Sequence, residues 1–168
     1  MDYDTVVVGA GPGGSTTARF AAKNGARTLL LEKREEIGVP VRCGEGIAPR
    51  WLEMVGVPLE GDWIANRVRG AKIYSPNGNS LTIEDDNLGT EVGMVIHRDK
   101  LDQFLAKLAE DDGAEVRTGV TVTDLLWNGE DVGGVKIRDS NGKESEITCG
   151  VVVGADGFES QVGRWANL

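Results

Sequence analysis

The sequence has few of the residues from which metal sites, disulfide frameworks and membrane spans are built. It contains one histidine and two cysteines, and Cys43 and Cys149 lie far apart with no metal-ligand spacing. No apolar run approaches the roughly eighteen residues needed to cross a bilayer, and the N-terminus is acidic where a signal peptide would be basic. We expect no metal site, free thiols in a reducing compartment, and a cytoplasmic location with at most peripheral membrane contact.

Positive charge is also scarce. The 168 residues include 18 Lys and Arg against 27 Asp and Glu, which gives a net charge of −9. Such a surface repels phosphate backbones, so nucleic acid is not an expected partner. The length and an apolar fraction of 40% suit one globular domain with its own core.

Glycine, in contrast, is abundant, with 24 residues, and its most informative cluster follows the first predicted strand (residues 5–8). Gly9, Gly11 and Gly14 match the G-x-G-x-x-G dinucleotide fingerprint, followed by a helix of small residues to about Asn24. The first glycine makes a tight turn, the second lets backbone approach a pyrophosphate, and the third lets the helix pack on the sheet. The helix N-terminus then offers N–H groups and partial positive charge to phosphates.

An acidic residue stands where this fingerprint needs one. A second predicted strand, 27–31, ends on Glu32, about twenty residues past the glycines, where an acid accepts hydrogen bonds from a ribose 2′-OH. This position favours an adenosine with a free 2′-OH, as in FAD or NAD, over NADP. The alternative is a glycine-rich turn that binds nothing, but the strand, the helix and the acid together favour the nucleotide site.

The rest of the chain departs from simple alternation of strand and helix. Antiparallel strands are predicted at 71–74, 80–83 and 93–97, after an irregular segment at 62–69. A helix capped by Asp99 runs to about Asp112, and a strand at 115–117 follows. A meander (121–127, 132–138, 144–148), a buried strand (151–153) and a last helix (162–166) complete the order. It predicts an α/β class: a Rossmann-like FAD/NAD(P)-binding, three-layer ββα fold with an antiparallel meander and an inserted antiparallel segment.

Four stretches of the chain carry a resemblance to a known family. They are 8–14 (VGAGPGG), 41–46 (VRCGEG), 95–98 (VIHR) continuing into Leu101-Asp102, and 154–160 (GADGFES). With them the sequence resembles flavoproteins of the para-hydroxybenzoate hydroxylase fold, and among these the archaeal geranylgeranyl reductases (digeranylgeranylglycerophospholipid reductases). The first and last stretches specify only FAD, and 41–46 is the one that points to the reductases.

The resemblance implies that residues 1–168 are an FAD-binding domain from the N-terminal part of a longer flavoprotein. Residues 66–97 would be a partial substrate-side insertion. The family's later Gly-Asp motif has no counterpart here, so we expect this portion to be inactive alone.

The resemblance also implies positions for the cofactor. Gly13 and Glu32 would hold the ADP half of FAD, and Arg98 would contact a phosphate. The backbone of Val122 would meet the adenine, and Asp156 would orient cofactor or a loop arginine. For Arg98 a solvated side chain, and for Asp156 a plain turn, are the alternatives.

The flavin ring would lie against residues 42–46. Arg42, Cys43, Gly44 and Gly46 would line the isoalloxazine, with the glycines letting backbone approach the ring. Cys43 is the candidate catalytic residue, and its alternative is a small residue that packs. Glu45 is a second candidate for the proton donor.

The activity implied is saturation of carbon–carbon double bonds in the geranylgeranyl chains of archaeal-type membrane lipids. The electron donor stays open, and peripheral membrane contact would come through the missing C-terminal part. Two alternatives stay open as well: an FAD-dependent aromatic monooxygenase of the same fold, and a non-catalytic FAD- or NAD-binding module.

Overall fold

The structure is a computed structural model that describes residues 1–84 and 93–168. The chain divides into two compact units. The first consists of Met1–Pro40 and Asp102–Leu168, and the second of Val41–Leu101. No helix among the described residues is long and apolar enough to cross a membrane.

Eleven strands and four helices are seen in the described ranges. They are β1 (Tyr3–Val8), α1 (Pro12–Lys23), β2 (Thr28–Leu31), β3 (Gly46–Ile47), α2 (Pro49–Met54), β4 (Ile64–Val68), β5 (Gly70–Tyr74), β6 (Ser80–Glu84), β7 (Gly93–Ile96), α3 (Arg98–Asp111), β8 (Glu115–Arg117), β9 (Thr121–Asn128), β10 (Asp131–Arg138), β11 (Glu144–Gly154) and α4 (Gln161–Trp165).

The first unit is built on one six-stranded sheet of order β8-β2-β1-β11-β10-β9. Strands β8, β2 and β1 run parallel to one another, and β1 also pairs in parallel with the end of β11. The β9–β10 and β10–β11 pairs are antiparallel, as the turn signals in the sequence predict. The carboxyl ends of the parallel strands therefore meet at one edge, where open α/β sheets bind ligands.

Two apolar clusters show how this sheet is covered. On one side, Val7 and Leu30 pack with Ala18 of α1 and Ala109 of α3. On the other side, alternate residues of β1 and β2 pack with the meander and α4. That cluster contains Val6, Val8, Leu29, Leu31, Leu125, Val135, Ile137, Ile147 and Val162. Because strand side chains alternate between faces, helices, parallel strands and meander form three layers, and the predicted ββα fold is confirmed.

Strand β11 corrects the sequence-based prediction of two separate strands. It runs unbroken from Glu144 to Gly154, since Gly150 lets the backbones approach; a Cβ there would lie 3.2 Å from the Asp4 carbonyl oxygen. The predicted burial of 151–153 is also wrong, because Val151 is 54% exposed. The two neighbouring valines are half-buried, Val152 against the meander-side cluster and Val153 against the helix-side cluster, so the apolar run alone does not reveal how completely each residue is covered.

The second unit contains a three-stranded sheet of order β3-β7-β4 and the β5–β6 hairpin. The segment at 62–69, predicted as irregular, contains strand β4, and Trp63 next to it is fully buried. Helix α3 begins at Arg98, so Asp99 lies inside its first turn and is not the predicted cap. This unit, Val41–Leu101, is larger than the antiparallel segment 66–97 and encloses it.

Candidate functional site

The glycine turn at residues 9–14 lies at the carboxyl end of β1, and two of its glycines are required by packing. Gly9 has φ +102°, and a Cβ on it would collide with the Ala155 carbonyl. A Cβ on Gly14 would collide with the Gly9 carbonyl oxygen. In both cases the obstacle is backbone, which cannot rotate away, so no other residue fits either position.

The other two glycines of the turn face open space. A Cβ on Gly11 or on Gly13 would meet no described heavy atom within 4 Å. Helix α1 begins here with Pro12 in its first turn and no acidic side chain in that turn. Its N-cap residue is Gly11, which has no side chain with which to cap the helix. The first N–H groups of a helix lack intrahelical partners and carry partial positive charge, so this cradle fits a pyrophosphate.

Glu32 lies beside the turn, where the spacing of the sequence predicts it. The residue is 8% exposed. One carboxylate oxygen, Oε2, accepts the Ala10 N–H at 3.0 Å, and Oε1 accepts the Arg34 N–H at 3.0 Å. A carboxylate offers about four lone-pair positions, so these two bonds leave capacity for ribose hydroxyls.

The sequence gives little indication of the backbone contacts that hold the segment around Glu32. Its carbonyl accepts the Val120 N–H, and the Arg34 carbonyl accepts the Gly119 N–H, both at 2.9 Å. Gly119 has φ +66°, and a Cβ there would lie 2.6 Å from a Glu35 carboxylate oxygen. The one available signal is a glycine two residues after the end of the short strand β8. These contacts fix the segment that carries the acid.

Asp156 lies next to the turn but is engaged differently from the prediction. Its Oδ2 accepts the N–H groups of Gln161 at 2.7 Å and of Val162 at 3.2 Å. Its Oδ1 accepts the Ser160 hydroxyl, whose oxygen in turn accepts the Gly163 N–H at 2.9 Å. The carboxylate therefore holds the start of α4, and its predicted role toward cofactor or a loop arginine stays a prediction.

Removing this carboxylate gives a pH-dependent loss of stability. Burial raises the pKa of Asp156, but hydrogen bonds from Ser160 and the helix N–H groups outweigh it, so the pKa lies below its ordinary value. Since the folded pKa is depressed, the stabilisation is present above about pH 4, the unfolded value, and is lost as the pH falls through the folded pKa. Asp156→Ala is expected to lower the free energy of unfolding by about 1–2 kcal/mol at neutral pH.

Urea unfolding of Asp156→Ala and the parent at neutral pH and below about pH 4 measures this. The difference between the two proteins should shrink in acid. A difference that stays constant with pH would show that the carboxylate's charge does not matter. Glu159→Ala, at an exposed position nearby, is the control and should match the parent at both pH values.

Val122 lies in β9 opposite Ile137 of β10 and packs, half-buried, against the apolar cluster on the meander side. No described contact tests the predicted approach of adenine to its backbone, so this role stays a prediction.

The 42–46 loop (Arg42, Cys43, Gly44, Glu45, Gly46) belongs to the second unit. Arg42, Cys43, Gly44 and Gly46 are all exposed. Neither glycine would place a Cβ within 4 Å of a described heavy atom, which leaves the backbone open to a planar ligand. The loop ends in β3, where Gly46 pairs with Val95 of β7.

Cys43 is held by polar groups at this loop. Its Sγ accepts the Glu45 N–H at 3.4 Å. This hydrogen bond lowers the pKa of the Cys43 thiol below its ordinary value; burial opposes it, and a hydrogen bond and the charge of the Arg98 side chain lower it further. In contrast, burial raises the pKa of Cys149. The structure thus brings the predicted residues Cys43 and Arg98 together, and it exposes Cys43 while it buries Cys149.

Among the described residues, no group of three or more His, Cys, Asp or Glu side chains could hold a metal ion. The glycine turn with Glu32 can support anion binding at a helix start beside a ribose acceptor, and the 42–46 loop presents an exposed thiol beside a cation.

Comparison with known proteins agrees with this geometry. The model of a family described as the FAD binding domain matches residues 2–168. A digeranylgeranylglycerophospholipid reductase of Picrophilus torridus is 44% identical over 169 residues, which covers 100% of this chain and 42% of that protein. The chain therefore spans less than half the length of such curated relatives.

Solved structures agree as well. A geranylgeranyl bacteriochlorophyll reductase-like protein from Thermoplasma acidophilum superimposes with a TM-score of 0.93 at 46% identity, over 99% of this chain and 42% of that one. Aklavinone-11 hydroxylase, in a complex with FAD and aklavinone, superimposes with a TM-score of 0.75 at 28% identity, over 95% of this chain and 34% of that one.

Proposed function

The chain belongs to the family of FAD-binding domains, and from this premise we propose that it is the FAD-binding portion of a reductase that saturates carbon–carbon double bonds in geranylgeranyl chains of archaeal-type membrane lipids. The observation that carries the proposal is the 42–46 loop, in which Cys43 is held by Glu45 and Arg98. The 44% sequence identity to a digeranylgeranylglycerophospholipid reductase supports the choice of substrate.

The residues present fit FAD. The open backbone at Gly11 and Gly13 and the start of α1 would receive the pyrophosphate, and Glu32 would accept a hydrogen bond from the adenosine ribose. When bound, FAD supplies hydride chemistry. The chain supplies binding and orientation.

Saturation of a double bond needs a hydride at one carbon and a proton at the other. An isolated alkene is not electrophilic, so the proton must come from an oriented donor in a dry site. Cys43 is our candidate: its Sγ carries a proton that the lowered pKa makes easier to give up. Residues 66–97 are our candidate for part of the substrate-facing layer.

The experiment uses the intact protein with dithionite-reduced FAD and an unsaturated archaeal-type lipid, and it weighs the product for one added H2 per reduced double bond. Cys43→Ala should lower turnover by about 100-fold or more if Cys43 gives the proton. Cys149→Ala, in the apolar core, is the matched control and should retain turnover. An unchanged lipid mass in the parent would remove the reductase proposal.

A second candidate is an aromatic monooxygenase, favoured by the similarity to aklavinone-11 hydroxylase over 95% of this chain. It predicts NADH or NADPH oxidation that a phenol stimulates in the presence of oxygen. The same intact protein distinguishes the two candidates, because a lipid reductase shows no such stimulation.

A further inference from the structure

Glu45 makes three described hydrogen bonds, one each through its backbone N–H, its carbonyl and its carboxylate. Its backbone N–H donates to Cys43 Sγ at 3.4 Å. Its carbonyl oxygen accepts the Ile96 N–H at 2.9 Å. Its carboxylate Oε1 accepts the Arg98 N–H at 3.1 Å. One residue thus connects the loop, the end of β7 and the start of α3.

The backbone of Glu45 is also unusual, because it has φ +57° in the left-handed region. Non-glycine residues other than Asn and Asp seldom adopt this conformation. It persists where surrounding contacts over-determine it, and such positions cluster at functional sites. Here the turn points the Glu45 N–H toward the sulfur while the carbonyl and carboxylate point toward β7 and α3.

We propose that Glu45 is a positioning residue of the candidate active site. It holds Cys43 Sγ beside Arg98, because it fixes the left-handed turn of the 42–46 loop against the start of α3. This inference rests on the proposed function only for its consequence in catalysis. The positioning itself is a property of this chain's own residues.

The contacts also separate this role from that of a proton donor, the other role that the sequence suggests for Glu45. Oε1 of the Glu45 carboxylate accepts the Arg98 N–H at 3.1 Å. Glu45 is therefore engaged as an acceptor in this arrangement, and Cys43 stays our candidate for the proton donor.

The charge of the Glu45 carboxylate and its hold on the loop act on the pKa of the Cys43 thiol in opposite directions. The proposal can therefore be tested by whether that pKa rises or falls. The groups acting on the sulfur are the Glu45 N–H and the Arg98 guanidinium, which lower its pKa, and burial and the Glu45 carboxylate, which raise it. If Glu45 acted only through its charge, neutralising it would lower the pKa of Cys43. If it positions the loop, losing its contact with Arg98 raises that pKa.

Two substitutions exploit this difference. Glu45→Gln removes the charge but keeps an oxygen that reaches the Arg98 N–H. Glu45→Asn removes the same charge and tolerates the left-handed backbone, but it is one methylene too short to reach. Comparing them therefore isolates the reach of the side chain without adding backbone strain. Glu53→Gln, at an exposed position of α2 in the same unit, is the control for loss of one charge.

The readout is the rate of Cys43 alkylation by iodoacetamide against pH, followed on the Cys43 peptide by mass spectrometry, in the intact protein after removal of flavin. We expect Glu45→Asn to raise the apparent pKa toward that of an ordinary thiol. At neutral pH its alkylation should then slow several-fold. Glu45→Gln should keep the apparent pKa at or below that of the parent, and Glu53→Gln should match the parent.

Equal lowering in Glu45→Asn and Glu45→Gln, or no change in either, would overturn the proposal. Circular dichroism and thermal melts of each variant confirm that the comparison is made on folded protein. If Glu45→Asn unfolds, Glu45→Gln still tests the proposal, because a rise in the pKa of Cys43 in that variant would also overturn it. The measurement needs neither flavin nor lipid. A failed lipid assay would therefore remove the proposed reaction and leave the positioning role standing.

Discussion

Gly14→Ala is expected to destabilise the nucleotide-binding unit strongly, because the added methyl would collide with the Gly9 carbonyl oxygen. Overpacking a rigid site costs about 1–3 kcal/mol and occasionally more, and here the obstacle is backbone that also closes the turn. We expect a loss of about 3 kcal/mol or more in the free energy of unfolding, out of a typical total of about 5–15 kcal/mol. Urea unfolding followed by circular dichroism measures it.

Gly13→Ala is the matched comparison, since it adds the same methyl to the same turn in open space. Its stability should equal or exceed that of the parent, because alanine is favoured over glycine in a helix by up to about 1 kcal/mol. Its affinity for FAD should nevertheless fall at least about tenfold, because the methyl takes up the space that the pyrophosphate approaches.

Flavin fluorescence titration of the intact protein measures the expected fall in FAD affinity of Gly13→Ala. The two glycines should therefore separate folding from binding. A Gly14→Ala protein as stable as the parent would contradict the packing argument, and a Gly13→Ala protein that binds FAD as tightly as the parent would contradict the placement of the pyrophosphate.

Glu32→Gln is expected to cost both stability and cofactor. The Glu32 carboxylate accepts two backbone N–H groups, from Ala10 and Arg34, in a buried position. An amide of the same shape has only one oxygen, so one of these N–H groups would face an NH2 group. A buried donor left without an acceptor costs about 1–3 kcal/mol.

Binding should weaken as well, because the ribose loses a charged acceptor. A hydrogen bond to a charged group contributes about 1.5–3 kcal/mol, so FAD affinity should fall by roughly 10- to 100-fold. Glu130→Gln, at an exposed position in the β9–β10 turn, is the control and should leave both quantities unchanged. If Glu32→Gln alters stability but not affinity, the carboxylate serves the turn alone.

The sequence allowed the glycine turn, Glu32 and the layer order to be predicted, because each depends on local chemistry. Glycines at 9 and 14 signal a turn that forbids side chains, and the run at Leu29, Leu30 and Leu31 signals a strand covered on both faces. All three leucines are at most 1% exposed. Such patterns need no knowledge of distant residues.

The features that could not be predicted depend on partners far away in the chain. The contact of the Asp156 carboxylate with the N–H groups that begin α4 is one such feature, and its predicted role toward the cofactor stays a prediction. Glu45 has no local signal for its role, because the Arg98 N–H that it accepts lies more than fifty residues further along the sequence. Strand β4 could not be predicted because apolar and polar residues alternate too weakly along it to indicate a buried face.

The continuous strand β11 has a consequence for how the protein folds during synthesis. β1 pairs with β2 early in the chain, but its other neighbour is the end of β11, where Tyr3 lies opposite Cys149. Contacts so distant in sequence slow folding, and until β11 emerges from the ribosome one edge of β1 stays unpaired. Exposed strand edges promote aggregation, so the nascent chain is most vulnerable in the interval between the translation of its first and its last strand.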